Sequence, residues 1–386
     1  MAAEALISPN VMLWARERAA IPAGTLAERL GVDETAIAAW ETGAARPTFR
    51  QAEKFAALAH VPFGYLFLPA PPEETTPIPD LRTTAGGPRR RFSADFLDLI
   101  RDVMFKRDWF RQYLLDHGQE RLAFVGRFDR TARIETVARD ISGILERGTV
   151  DDSSTSWDHH LSRLFGACEA AGIWVMRTGT VGGNTHRALS VSDFRGFAIA
   201  DDIAPIIMIN GRDARAAQAF TLAHELAHIW LGQSGISDPM LNHPLDDSAG
   251  IERTCDAIAA EVLVPRATFL AAWQDTRDLT ENAHILARRF KVSQVVIARR
   301  ALDLGKIGRD EHQAFFEKER QAWLKLSEGG GGNFYATAQA RNGKRFTRAV
   351  VNSAMSGNLL LREAGQLLDL KPATVIKLHE KMVHEP

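Results

Sequence analysis

TLAHELAHIWLG, residues 221–232, is the stretch on which the reading of this chain turns. His224 and His228 stand four positions apart, so on a helix they lie one turn apart on the same face. Two imidazoles at that spacing can share a tetrahedral zinc ion at roughly 2.0–2.1 Å each. Glu225 follows the first histidine and projects to the side of the metal, where it can take a proton from water instead of filling a coordination position. The rest of the stretch is apolar: Leu222, Ala223, Leu226, Ala227, Ile229 and Trp230. A buried helix does not normally carry three polar side chains unless they are paired or metallated.

A third ligand is needed, and the next candidate segment is IERTCDAIAAEVLVP, residues 251–265. Glu252 and Asp256 are again four apart, which sets both on one face of a second helix ending at Pro265. Glu252 completes a three-ligand set with the fourth position open to water. Asp256 can accept a hydrogen bond from the far nitrogen of a ligating histidine, fixing its tautomer and raising its basicity. Glu261 is the competing third ligand, set in an apolar stretch with no evident supporting partner, so Glu252 is preferred. Cys255, between Glu252 and Asp256, reads as a small core residue.

FTLAHELAHIWLG together with ERTCDAIAAEVLVP resembles the ImmA/IrrE family of zinc metallopeptidases, whose pattern is HExxH followed by E-x-x-x-N/D-x-x-A-x-x-L-L-x-P. The resemblance covers residues 160–275. Carried over position by position, it implies His224, His228 and Glu252 as ligands of one zinc per chain, with Glu225 as base. Asp256 stands where many members have asparagine, Val262 where the pattern has leucine and Val264 where methionine is usual; none of these touches the ligand set. The family likeness further implies a protein substrate, a repressor-like DNA-binding protein cut in a linker or recognition region. His186 and His243 are candidates, by residue type alone, for stabilising the oxyanion.

Upstream, residues 10–68 read as a set of short helices. In TLAERLGVDETAIAAWETGAARP a helix from Thr25 to Leu30 ends at Gly31, and Asp33 is placed to cap a second helix that stops at Gly43. Ala27, Leu30, Val32, Ile37 and Trp40 supply the apolar contacts. The segment resembles the XRE-type repressor fold, with WETG…RP following the recognition helix, and sets a first domain at 1–70. Thr35, Ala39, Arg46 and Arg50 are its candidate DNA contacts. Against them, residues 1–60 hold six basic and seven acidic side chains, and the recognition helix opens on Asp33 and Glu34, which would face phosphate. Docking to a protein, such as another XRE-type repressor or a toxin, is the competing role.

PAPPEETTPIP, residues 69–79, holds five prolines and cannot be helical; it is a linker or a strapped extended segment. With the helical pattern at Ser93–His117 it makes a connecting region over 71–125. Helical patterning returns at Ile134–Glu146 and again at 161–172. IWVMRTGTV, GFAIAD (196–201) and PIIMIN (205–210) are three short β-rich runs, either of the first two offering an edge for an extended substrate. A helix then begins near Asp213, a suitable N-cap, and carries the histidines. This defines a central α+β metallopeptidase domain at 126–275. ILARRFKVSQVVIARRALDLGKI (285–307) reads helix–turn–helix, broken at Lys291–Val292, within a helical region over 276–328. GGGG (329–332) introduces a C-terminal module over 329–386, where residues 333–386 carry eight basic and four acidic groups. Its REAGQLLDLKPATVIKL has the same helix–turn–helix spacing, a second candidate for DNA contact.

The fold class is therefore multidomain and mainly α, with a central zincin-like α+β domain (small sheet plus HExxH helix) between helical N- and C-terminal modules. The net charge of −1 gives the whole molecule no pull toward nucleic acid or anionic membrane. Two cysteines, Cys168 and Cys255, cannot staple a chain of 386 residues, and with no basic-then-apolar leader and no run of about 18 apolar residues the reading is cytoplasmic, not membrane-bound. An oligomer is compatible with all of this. The expected function is a regulatory zinc-dependent endopeptidase that cleaves a repressor-like or partner protein, coupled to transcriptional, stress or toxin–antitoxin regulation. That coupling is implied by the layout, which resembles a bacterial subgroup encoded beside toxin-like partners. The alternative is a non-catalytic, zinc-containing DNA-binding regulator or an antitoxin that neutralises a neighbouring toxin by binding.

Overall fold

The computed structural model describes residues 3–81, 92–146, 156–237, 250–324 and 340–384. His243 and the GGGG run lie outside them. The chain divides into two compact units, one formed by residues up to Thr76 together with Arg91–Asp98, the other by Pro77–Arg90 and everything from Leu99 on.

The first unit is helical. Helices α1 (Pro9–Arg18), α2 (Ala23–Leu30), α3 (Glu34–Thr42) and α4 (Phe49–Leu58) surround Met12, Leu26, Ile37, Trp40, Ala52 and Phe55. Gly31 and Gly43 end α2 and α3 in the left-handed region, which a β-carbon would resist. Asp33 holds the N-cap position of α3 without a side-chain cap bond, so the expected cap is positional only. The real cap is at α4, where Thr48 and Gln51 form a reciprocal capping box. Arg18 ties the ends of the unit together, reaching Glu74 at 2.8 Å and Asp98 at 2.6 Å.

In the second unit, α5 (Ala94–Asp116, its later turns), α6 (Ile134–Glu146) and α7 (Trp157–Ala170) lead into a four-stranded sheet. Its strands are β1 (Trp174–Thr178), β4 (Gly196–Ile199), β5 (Ile206–Asn210) and β6 (Gly235–Ser237), in the order β1-β5-β4-β6. β1 and β5 are parallel and the other neighbours antiparallel, with Phe197 opposite Met208 and Ile236. A separate hairpin pairs β2 (Thr180–Val181) with β3 (Asn184–Ala188). The three β-rich runs all become strands, but GFAI lies inside the sheet, so it offers no edge; β1 is one edge and β6 the other. β6 was not visible in the sequence because three residues are too few for an alternation to register.

Helix α8 (Arg215–Trp230) crosses the sheet and is buried from Gln218 onward. It separates two cores. On one side Leu222, Leu226, Ile229 and Trp230 meet Val137, Ile141, Leu164, Val175 and Ile207. On the other, Phe220 and Ala223 meet α9 (Gly250–Leu263), α11 (Leu279–Phe290) and α12 (Gln294–Asp303) through Ala259, Ala260, Leu286 and Ile297. Being covered on both sides is why this helix is apolar nearly all round. Its N-cap position is Ala214, not Asp213, which instead pairs with Arg195 at 2.6 Å. α10 (Arg266–Ala272) and α13 (Arg309–Leu324) complete the region, and Lys291 in the left-handed conformation breaks α11 from α12 where the sequence placed the break.

The C-terminal helices Lys344–Met355, Leu361–Leu368 and Pro372–His384 pack onto the same unit. The indole N–H of Trp174 donates to the carbonyl of Asn342 at 2.6 Å, and Phe346 stacks on Trp174 with ring centroids 4.5 Å apart. Buried Lys106 binds Asp102 and Asp369, each at 2.6 Å. Of the basic groups counted in this module, Arg341 is buried and donates to the Leu368 carbonyl, so it is not a candidate for phosphate. Among the described residues no helix is long and apolar enough to cross a membrane.

Candidate metal centre

α8 and α9 lie side by side, and their polar residues meet in the contact. His224, Glu225 and His228 are fully buried and Glu252, in the first turn of α9, is 4% exposed. The two imidazole Nε2 atoms are 3.0 Å apart. One Glu252 oxygen lies 3.3 Å from the His224 Nε2 and the other 3.1 Å from the His228 Nε2. Ligands about 2.0–2.1 Å from a tetrahedral ion stand about 3.3–3.4 Å from one another. Each pair of donors therefore stands near the edge length of that tetrahedron, with a different Glu252 oxygen facing each imidazole.

The hydrogen-bond accounting agrees. Beyond the two imidazoles neither oxygen of Glu252 has a hydrogen-bond partner, and Nδ1 of His228 and Oε1 of Glu225 are buried without one. A buried carboxylate costs several kcal/mol unless a positive charge, from an imidazolium or a bound cation, balances it. Without an ion, the charges of these groups offset one another. Burial opposes charge on His224, but Glu252 and Asp256 outweigh it and hold the imidazole well above its usual range. Burial also opposes charge on Glu252, yet the two histidines hold it below the usual carboxylate range. At His228 burial prevails and lowers the pKa. Glu225 is pushed up to about 8, by burial first and by Glu252, against the pull of His224. The residues fit a divalent cation by number, type and spacing.

Around this set, Asp256 Oδ1 lies 2.8 Å from the His224 Nδ1, leaving Nε2 to face the metal position. The other proposed ligand is elsewhere: Glu261 pairs with the guanidinium of Arg300 and accepts the Arg266 backbone N–H at 3.0 Å. Sequence spacing could not reveal that partner, which comes from α12. Cys255 places its sulfur within 4.8 Å of ligand nitrogens of both histidines. In the absence of an ion its thiol is pushed well up by burial and by Glu252 and Glu225.

Two contributors went unnoticed in the sequence. Ser237, at the end of β6, sets its hydroxyl 3.2 Å from the His228 Nε2 and donates to Glu225 Oε2 at 3.5 Å. Gly196, opening β4, lies under the motif helix: a β-carbon there would come within 2.5 Å of Thr221 Cγ2 and 2.9 Å of Glu225 Oε1. The only sequence signal for either was the glycine that opens GFAIAD. His186 is exposed on the β2–β3 hairpin, and no hydrogen bond brings it to the donor set. In the first unit, Thr35 on α3, Arg46 in the following turn and Arg50 on α4 are exposed, and Ala39 is half-buried.

Comparison with known proteins follows these divisions. Residues 168–302 match a peptidase family described as the IrrE N-terminal-like domain. Residues 13–66 match a helix-turn-helix family, and residues 342–381 match a domain of unknown function. No curated protein matches the chain. The chain thus carries an IrrE-like domain and an N-terminal helix-turn-helix domain of the XRE type.

Proposed function

We propose that this chain, with an IrrE-like domain behind a helix-turn-helix head, is a regulatory zinc-dependent endopeptidase. His224, His228 and Glu252 hold one zinc ion, Asp256 orients His224, and Glu225 is the catalytic base. The observation that carries the reading is the convergence of two imidazole nitrogens and a carboxylate at 3.0–3.3 Å inside a buried helix pair, with Glu252 otherwise unpartnered. Bound there, zinc supplies Lewis acidity to the scissile carbonyl and to the attacking water.

The protein's own part is proton handling and positioning. Glu225 Oε1 takes the proton of the attacking water and passes it to the departing amine nitrogen, while the Ser237 hydroxyl steadies Oε2. Three protein ligands leave a position for substrate, whereas a structural site closes its fourth position with protein. The head makes regulation, rather than bulk digestion, the role. Thr35, Ala39, Arg46 and Arg50 are its candidate DNA contacts, and an XRE-type repressor or a toxin encoded nearby is the candidate protein partner.

The test incubates the zinc-loaded chain with the product of its neighbouring gene. Wild type cuts it; Glu225→Gln binds one zinc per chain and does not. Cleavage retained by Glu225→Gln overturns the mechanism. Binding of the partner without cleavage, joined to steeply salt-dependent binding of its own promoter, would make the chain a regulator that acts by binding.

A further inference from the structure

The edge of the sheet nearest the metal centre is already filled. β6 has β4 on one side only. On its other side the Ile236 N–H donates to the Pro79 carbonyl at 2.9 Å, and the Leu81 N–H donates to the Ile236 carbonyl at 3.0 Å, forming a parallel bridge centred on Asp80. The Pro-rich stretch, read as a linker or a strapped extended segment, is at its end strapped to β6 by this isolated bridge. It is also fitted by its side chains. Ile78 is buried, and Leu81 lies so close over Gly235 that a β-carbon there would come within 2.1 Å of Leu81 Cδ1. The next residue along β6 from Ile236 is Ser237, whose hydroxyl touches His228 and Glu225. Whatever pairs with this edge therefore runs past the metal donors within about one residue's length of backbone, roughly 3.3 Å.

Strand addition to an exposed sheet edge is how extended peptides are commonly held: main-chain bonds give affinity and alternate side-chain pockets give selectivity. Pro77 and Pro79 favour the extended backbone such pairing needs, but Pro79 contributes a carbonyl and no N–H. The resident segment thus holds the edge by two described backbone bonds, whereas an incoming strand without proline can offer donors as well.

We propose that the outer edge of β6 is the docking surface for an extended peptide substrate bearing a leucine-sized apolar residue over Gly235, and that Pro77–Leu81 occupies it in cis as a strap that substrate must displace. This rests on the peptidase reading, and the test separates the two. The full zinc-loaded chain is compared with Leu81→Asp and Ile78→Ser, which loosen the strap from two different contacts. The probes are a fluorescein-labelled TPIPDL peptide, the sequence of residues 76–81, and casein as an unfolded protein.

A strap seated nine-tenths of the time weakens apparent peptide affinity about tenfold, so release should tighten binding by about that factor. Casein cleavage at sub-saturating concentration should rise in proportion, and the Ile236 amide should exchange faster until peptide is added. Equal peptide binding by all three proteins, or unchanged exchange at Ile236, overturns the proposal. If binding tightens but no form cuts casein, the strap stands and the peptidase reading falls. If all forms cut casein at one rate and bind peptide alike, the reverse holds. Should Leu81→Asp fail to retain zinc, Ile78→Ser carries the comparison alone.

Discussion

Replacing Gly196 by alanine adds one methyl group at the contact between β4 and the motif helix. The added carbon would lie 2.5 Å from Thr221 Cγ2, 2.9 Å from Glu225 Oε1 and 3.1 Å from the Met208 carbonyl. Two of those neighbours are fixed, one by the sheet and one by a helix packed on both sides, so the strain has few outlets. Overpacking of this kind costs about 1–3 kcal/mol. Part of it is removable, because Thr221→Ser deletes the closest atom while keeping the hydroxyl. The double variant should therefore recover part of the loss, with a coupling energy of about 0.5–2 kcal/mol. The contact with Glu225 persists in the double variant, so cleavage should stay depressed although zinc is bound. Urea unfolding followed by tryptophan fluorescence, zinc content and cleavage rate read these effects separately. Strict additivity of the two substitutions, or full activity in Gly196→Ala, would refute the claim that the glycine is there to make space for the base.

Four further outcomes follow from the same geometry. Asp256→Asn keeps an acceptor for the His224 Nδ1–H but removes the charge, and zinc affinity measured against a competing chelator should fall about 10–100-fold. Chelation of zinc should lower the urea midpoint, since free ion at about 100 times its dissociation constant stabilises by about 2.7 kcal/mol; an unchanged midpoint would mean that no ion is held. Asp369→Asn weakens the bond to buried Lys106 and should cost about 1.5–3 kcal/mol, read in the same unfolding curves. Asp201 accepts the N–H groups of Ile203 and Ala204, each at 2.9 Å, and pairs with Arg107 and Arg111. Burial raises its pKa, but the Ala204 N–H, Arg107 and the remaining partners outweigh burial and hold it below the usual range. A depressed folded-state pKa gives stability that is complete above the unfolded value of about 3.9 and is lost as pH falls through the folded one. Asp201→Asn should therefore flatten the decline of the urea midpoint below about pH 4, and an unchanged slope would contradict this.

The parts of the site that the sequence revealed are those whose partners share a helix. His224 and His228 declare themselves by one period, Glu252 and Asp256 by another, and the apolar filling around each pair marks both helices as buried. Contacts between elements have no such period. Nothing in the spacing of Gly196 and Ser237 says that two strands bring them beside Glu225 of the motif helix. The same blindness kept Glu261 as the competing ligand behind Glu252, because its arginine comes from a helix about forty positions on. Asp213 looked like a cap because capping chemistry is local, yet its oxygen serves Arg195 across the strand-to-helix turn. In the linker, composition showed that residues 69–79 are extended and said nothing of the strand they would meet.

The stacking of Phe346 on Trp174 also sets a clock on synthesis. Trp174 and Asn342, joined by the indole hydrogen bond, are separated by 168 positions, and Lys106 and Asp369 by 263. At roughly 5–20 residues per second, the ribosome needs roughly 10–30 s to travel from Trp174 to its cover. Throughout that interval the Trp174 ring has Phe110 against it edge-on but lacks the stacking cover of Phe346, and Lys106 is still short of its second carboxylate. The domain that carries the metal ligands is thus finished from its tail, and a nascent chain stalled before residue 342 is the form that a chaperone would need to shield.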